Sequence, residues 1–299
     1  MMNRWIRKLA LLGSVAGFAM GSALAAEPVT VEQKIGDNTA LADWVAADDA
    51  EAGAPVVLLL HGTLAHKDQE LIDTLQELLA ERGISSLAPS LTFAQDRRKD
   101  MYDCAVPMRH THEEAVDEVA LWARWLQQQG HPRIVMAGHS RGGNQASLFA
   151  RAHPDLIEKL VAIAPAVGHS DEERDRRYKG RYGASRTDVI AMAEKGGDLI
   201  DVPGIIYCRD AKASPAAIRS YLGGAFEDRD TPTVVSSLSM PVLVIAGSAD
   251  TVVPEVPERM AAIADGERVR LSVIDDAGHM FLDFYAEDAA DLIAEFIAD

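Results

Sequence analysis

Ile134-Val135-Met136-Ala137-Gly138-His139-Ser140-Arg141-Gly142-Gly143 is the stretch on which the fold turns. An apolar run leads without a break into a G-x-S-x-G core formed by Gly138, Ser140 and Gly142. Beyond it, Gln145 to Ala152 has the character of a helix. Strand, sharp turn and helix, in that order, are the context in which this motif carries chemistry. A serine held on such a turn has strained backbone angles, and side chains beside it would clash. Glycine on both flanks removes the clashes and lets the Ser140 hydroxyl project. The N-terminus of the following helix points at the same spot and favours negative charge developing there. Ser140 is therefore the candidate nucleophile.

Outward from this stretch, short apolar runs alternate with amphipathic ones. Val56 to Leu60 is a continuous β-rich run, suited to a strand covered on both faces. Leu71, Leu75, Leu78 and Leu79 recur at helical spacing, with a stop at Gly83. Ile84 to Ala88 reads as a strand ended by Pro89. A helix from Glu113 to Gln129 follows, with Thr111 and Glu114 as a capping box. Leu160 to Ile163, Pro241 to Ala246 and Val269 to Ile274 are further strands, and a last helix carries Leu292, Ile293, Phe296 and Ile297. This alternation predicts an α/β fold, a mostly parallel doubly wound sheet with helices on both faces. From about 168 to 236 the rhythm breaks. That length, with packing runs such as Ile205-Ile206-Tyr207, predicts a small helical cap inserted over one edge of the sheet.

The elbow, with two later loops, resembles the α/β-hydrolase superfamily, over nearly the whole chain from Val31 to Asp299. That superfamily orders its triad as Ser, acid, His. Ala246-Gly247-Ser248-Ala249-Asp250 directly follows one late strand, and Asp276-Ala277-Gly278-His279 follows the next. The resemblance thus implies Ser140, Asp250 and His279 as the triad. It also implies an oxyanion hole from the backbone N–H of Arg141 and one from Thr63 or Leu64, in the loop His61-Gly62-Thr63-Leu64. This loop lacks the Gly-Gly-Gly run of lipase-type relatives, which argues against bulky lipid or tertiary-alcohol esters.

The chemistry supports the same trio. A serine hydroxyl needs a base, His279 can take and return its proton, and a buried Asp250 would hold the imidazole tautomer. Asp275, Asp276 and Asp283 are the rival acids; the first two lie so close to His279 that they are better read as shaping its loop. The reading is a serine hydrolase that cleaves an ester, or an amide or thioester, of a small molecule through an acyl-enzyme. The alternative is a non-catalytic periplasmic binding protein on the same fold.

Composition narrows the partners. The chain has 299 residues, 48% hydrophobic and 25% charged, with a formal charge of −17. An acidic chain of this kind is a poor match for nucleic acid or anionic membranes. No cofactor or metal is expected. His110 and His112 lie near Cys104, but an i, i+2 pair at a helix start points two ways, so they read as a loop over the pocket entrance. His139 reads as a packing residue under the elbow. Trp122 and Trp125 read as core and half-exposed surface. The arginines between Arg174 and Arg186 read as a solvated helix face, with an acidic substrate as the sharper alternative.

The start of the chain reads as targeting. Arg4, Arg7 and Lys8 precede an uncharged run from Leu9 to Met20, then Ala23-Leu24-Ala25. Those are the three parts of a secretory signal, so residues 1–25 are expected to be removed, leaving a hydrolase domain over 26–299 with no stable membrane span. The expected compartment is the bacterial periplasm. In an oxidising compartment the only cysteines, Cys104 and Cys208, are candidates for a disulfide clamping the cap to the sheet.

Overall fold

The computed structural model describes residues 27–224 and 228–299. The expected signal segment, residues 1–25, lies outside them. The described chain opens with an antiparallel pair, β1 (Val29–Ile35) and β2 (Asn38–Val45), turning at Gly36 with φ 57°. Strands and helices then alternate: β3 (Val56–Leu60), α1 (Glu70–Glu81), β4 (Ser86–Ser90), α2 (Glu114–Gln128), β5 (Ile134–His139), α3 (Arg141–Ala152) and β6 (Lys159–Ile163). The insertion follows as α4 (Asp171–Tyr182), α5 (Arg186–Glu194), β7 (Ile200–Ile205), β8 (Cys208–Ala213), α6 (Pro215–Leu222) and α7 (Thr231–Ser236). The chain then returns through β9 (Val242–Gly247), α8 (Val256–Ala261), β10 (Val269–Ile274) and α9 (Phe284–Ala298).

The sheet order is β1-β2-β4-β3-β5-β6-β9-β10. From β4 to β10 every neighbouring pair is parallel; only β1–β2 and β2–β4 are antiparallel. The apolar runs that predicted strands are the buried middle of this sheet, with β3, β5 and β9 buried at every position. β5 sits between β3 and β6, so the turn after it lies mid-sheet at the carboxyl edge, where such sheets open a crevice. The capping box also forms. The Thr111 N–H donates to Glu114 Oε2 at 2.8 Å, and the Glu114 N–H donates to Thr111 Oγ1 at 3.3 Å.

Three features differ from the sequence reading. The antiparallel entry strands carry mixed polar and apolar residues and gave no continuous run to recognise. Pro89 is inside β4 rather than beyond it. It pairs with Ala42 of β2 and lies past Leu87, the last residue of β4 in register with β3, so its missing N–H breaks no ladder there. The cap is not purely helical: β7 and β8 form a separate antiparallel hairpin. Pro203 in β7 and the charged, alternating CRDAKA of β8 hid these strands. They are fixed by pairing, not by composition.

The cap is joined to the sheet through the loop after β4. Cys104 and Cys208 form a disulfide, with Cα atoms 5.3 Å apart. Beside it the Met108 N–H donates to the Lys212 carbonyl at 2.8 Å, and the Ser214 N–H donates to the Met108 carbonyl at 2.9 Å. Trp122 is fully buried, and Trp125 packs against it edge-on at 5.9 Å between ring centroids. Among the described residues no helix is long and apolar enough to cross a membrane.

Candidate active site

Ser140 occupies the single residue between β5 and α3, with φ 57° and ψ −119°. This left-handed backbone is costly for a residue with a side chain, and it persists because the surroundings over-determine it. The Ser140 N–H donates to the Ile163 carbonyl at 2.8 Å, and its carbonyl accepts from Gly143, Asn144 and Ala166. The glycines are demanded by contact distance. A Cβ at Gly138 would run into the Gly142 carbonyl, and one at Gly142 into the carbonyls of His61 and Leu60. The helix therefore starts against the loop after β3, a fit available only without those side chains.

The three residues expected to act together are hydrogen-bonded in series. His279 Nε2 lies 2.9 Å from Ser140 Oγ, and His279 Nδ1 lies 2.8 Å from Asp250 Oδ2. Asp250 is 5% exposed, and its other oxygen accepts the N–H groups of Val252 at 2.7 Å and Val253 at 3.0 Å. Burial alone would raise its pKa. The His279 hydrogen bond and the two amides outweigh that and hold the carboxyl below its ordinary value. Of the rival acids, Asp276 has left-handed backbone, φ 58°, and its N–H donates to Ser248 Oγ at 2.8 Å. Asp283, φ 57°, precedes α9. Neither carboxylate is hydrogen-bonded to His279.

The oxyanion loop is also held in an unusual backbone. Leu64 has φ 58°, and its carbonyl accepts the Tyr102 N–H at 2.9 Å. The N–H groups of Thr63, Leu64 and Arg141 find no acceptor among the described residues, which leaves them available to a ligand. His61 anchors this loop from beneath. Its Nδ1–H donates to the Gly62 carbonyl at 2.8 Å, and its Nε2 accepts from the Leu91 N–H at 3.1 Å and from Arg98 at 3.2 Å.

A model of the Alpha/beta hydrolase family matches residues 57–296. The chain belongs to that family. Among curated proteins, the chain is 27% identical over 186 residues to a poly(3-hydroxyalkanoate) depolymerase of Ectopseudomonas oleovorans, covering 59% of the chain and 65% of that protein. It is 24% identical over 137 residues to a probable 1-acylglycerol-3-phosphate O-acyltransferase of Oryza sativa, covering 46% of the chain and 31% of that protein. The chain thus spans less than two thirds of either relative. Among solved structures it resembles Est1E from Butyrivibrio proteoclasticus, with a TM-score of 0.60 at 19% identity over 90% of this chain and 99% of that one. An esterase of Pyrococcus furiosus gives a TM-score of 0.58 at 18% identity over 91% of this chain and 90% of that one. At these identities the likeness is one of fold.

Two residues beside Ser140 do more than the sequence reading assigned them. His139 is not only packing. Its Nε2–H donates to the carbonyl of His279 at 2.8 Å, tying the backbone of His279 to the residue before Ser140. A hydrogen bond between residues 140 positions apart has no sequence signal. Arg141, considered only for its N–H, also turns its side chain to the site. Its Nε donates to Thr63 Oγ1 at 3.2 Å, and its guanidinium lies 5.6 Å from the Tyr221 ring centroid. Burial lowers its pKa, opposed by Tyr221, Tyr207 and Tyr182.

The His110 ring is engaged by the cap and the His112 ring by α3. His110 Nδ1 lies 2.8 Å from the Tyr221 hydroxyl, and His112 Nε2 lies 3.0 Å from Asn144 Oδ1. Cys104, near them in sequence, is bonded to Cys208. The arginines of α4 and α5 are largely paired with acids, Arg174 with Asp171, Arg177 with Glu173, and Arg186 with Asp175.

Proposed function

We propose that the protein is an exported serine hydrolase that cleaves an ester bond of a small molecule through an acyl-enzyme on Ser140. The observation that carries this reading is the continuous series Asp250–His279–Ser140 at 2.8 and 2.9 Å, with the serine on a strained elbow. In the first step His279 Nε2 accepts the Ser140 proton as Oγ bonds to the ester carbonyl carbon. The carbonyl oxygen becomes an oxyanion facing the N–H of Arg141 and that of Thr63 or Leu64. As the intermediate collapses, the C–O bond to the alcohol breaks and His279 gives its proton to the departing oxygen. Water then repeats the sequence on the acyl-enzyme, with His279 as base, and releases the acid. Asp250 keeps Nδ1 protonated throughout, so that Nε2 remains the acceptor.

An ester is favoured over an amide by the company the chain keeps: a relative named as a poly(3-hydroxyalkanoate) depolymerase and a fold neighbour named as an esterase. Removal of residues 1–25 on export belongs to the same proposal. The test is a fluorophosphonate probe together with 4-nitrophenyl esters. Wild-type protein should be labelled on Ser140 and turn over the esters. Ser140→Ala should lose labelling and at least about a thousand-fold in kcat, with its thermal stability nearly unchanged. Labelling elsewhere, or ordinary turnover by Ser140→Ala, would remove the nucleophile from this position.

A further inference from the structure

Two cavities of about 200 and 220 Å³ lie under the cap, and both are walled by Arg141, His169, Arg174 and Tyr221. Ser140 itself lies outside both linings; the neighbouring Arg141 connects the elbow to this space. The walls are rich in arginine, yet most of the charge is already spent. Arg174 donates to Asp171 and to the carbonyls of Leu222, Gly223 and Gly224. Arg186 is held by Asp171, Asp175 and the Leu222 carbonyl. Arg229 pairs with Glu113 and donates to the Ser220 carbonyl. Arg177 bridges Glu173 and Glu255.

Arg141 is different. Only its Nε has an acceptor among the described residues, Thr63 Oγ1, and no carboxylate among them pairs with the guanidinium. Its two Nη groups are left facing the cavities. Around it stand groups without negative charge: the Tyr221 ring at 5.6 Å, Asn144 bound to His112, and His112 itself, kept neutral by burial. A partly buried cation with a free planar edge is a two-point receptor for a carboxylate. The surroundings matter because the chain as a whole carries −17 and would repel an anion. Arg181, in the wall of the second cavity alone, also has no acid partner among the described residues and lies 4.3 Å from the Tyr207 ring centroid, so Arg141 is the uncommitted cation of the first cavity, the one matched by a single monoanion.

We propose that the Arg141 side chain binds a carboxylate on the substrate, so that the enzyme's preferred substrates are esters of molecules that also carry a free carboxylate. This rests on the serine-hydrolase reading and specifies its substrate class. The guanidinium would be anchored through Nε on Thr63, in the oxyanion loop, and would present Nη1 and Nη2 to the two carboxylate oxygens. Because Ser140 and Arg141 are adjacent in the chain, engagement of the carboxylate would set the position of the ester carbonyl above Oγ.

The experiment compares kcat/KM for matched pairs that differ only in charge. One pair carries the carboxylate on the acyl side: mono-4-nitrophenyl glutarate and its methyl ester. The other carries it on the alcohol side: O-butyryl-3-hydroxybutanoate and its methyl ester. Wild type should prefer the anion in at least one pair by about tenfold or more. Arg141→Gln should abolish that preference, mainly through KM, and Arg141→Lys should restore part of it. Fluorophosphonate labelling of each variant reports separately on the nucleophile, so loss of labelling in wild type would defeat the hydrolase reading and not this one alone. If wild type shows no anion preference in either pair, or if Arg141→Gln lowers both members of a pair equally, Arg141 is not a carboxylate receptor. Inorganic phosphate inhibiting more strongly than free glutarate would also overturn the assignment.

Discussion

Acid should unfold this protein well before its carboxylates are neutralised, because four histidines are folded in as neutral rings. Burial pushes His61, His110 and His112 down to about 3 and His139 down to about 4, from an ordinary 6.5. Nearby cations add to this, Arg98 beside His61 and His110, and Arg141 beside His112. The geometry gives the reason at His61, whose Nε2 lone pair is already taken by the Leu91 N–H and Arg98. Glu118 runs the other way: burial raises it from 4.5 to about 7, against the pull of its hydrogen bonds from Thr92 and the charge of Arg98. Above pH 6.5 the histidines are neutral in both states and cost nothing. As pH falls below 6.5 the unfolded chain binds protons that the folded rings refuse until pH 3 to 4, so stability falls through that window. Glu118 contributes stability that is complete below 4.5 and lost as pH rises through 7, so it partly offsets them. Between pH 8 and pH 5 each histidine costs about 2 kcal/mol and the four together about 8, Glu118 returns about 2 to 3, and the net loss is about 5 to 6 kcal/mol. That is comparable to the whole stability of an ordinary domain, about 5–15 kcal/mol. Urea unfolding of the disulfide-intact protein at pH 8, 6.5 and 5, followed by tryptophan fluorescence, measures it. His110→Phe should shrink the pH 8-to-5 difference by about 2 kcal/mol, whatever it does to stability at pH 8. An unfolding free energy that is level across this range, or highest at pH 5, would refute the argument.

Asp250→Asn should lower kcat by about ten-thousand-fold through the wrong imidazole tautomer, while Asp276→Asn should cost far less, since Asp276 meets Ser248 through its backbone N–H and its carboxylate does not reach His279 among the described residues. Equal losses in steady-state assays of the two variants would point to a different acid. The exported protein should begin at Ala26 and carry the Cys104–Cys208 bridge, so alkylation without reductant followed by mass spectrometry should find neither cysteine labelled. Reduction should then lower the unfolding free energy by about 4.7 kcal/mol, the chain-entropy value for a loop of about 100 residues, and label uptake by both cysteines before reduction would count against the clamp.

The core of the fold was legible because its signals are local. A parallel strand covered on both faces must be apolar at successive positions, and Val56 to Leu60, Ile134 to Ala137 and Pro241 to Ala246 are written that way. The elbow is equally local, since the clashes that require Gly138 and Gly142 arise within a few residues of Ser140 and against the loop it abuts. Asp250 and His279 could be proposed because each directly follows a recognisable strand, where the Ser–acid–His order of the α/β-hydrolase resemblance puts the acid and the histidine.

What lay beyond the sequence depends on partners distant in the chain. β1, β2, β7 and β8 are strands because of what they pair with, and their mixed composition carries little intrinsic preference. A charged cap leaves its arginine–acid pairings open on paper; folding spends Arg174, Arg177 and Arg186 on nearby acids and leaves Arg141 without one among the described residues. His139 reaches the carbonyl of His279 only once β5 and the loop after β10 are side by side. Burial, pairing and leftover charge are properties of the assembled structure, because they depend on which groups exclude water from one another. The alternation of strands and helices, and the sharp turn at Ser140, could be inferred from local pattern. The free guanidinium beside the nucleophile, and the neutral histidines around it, were decided by tertiary packing alone.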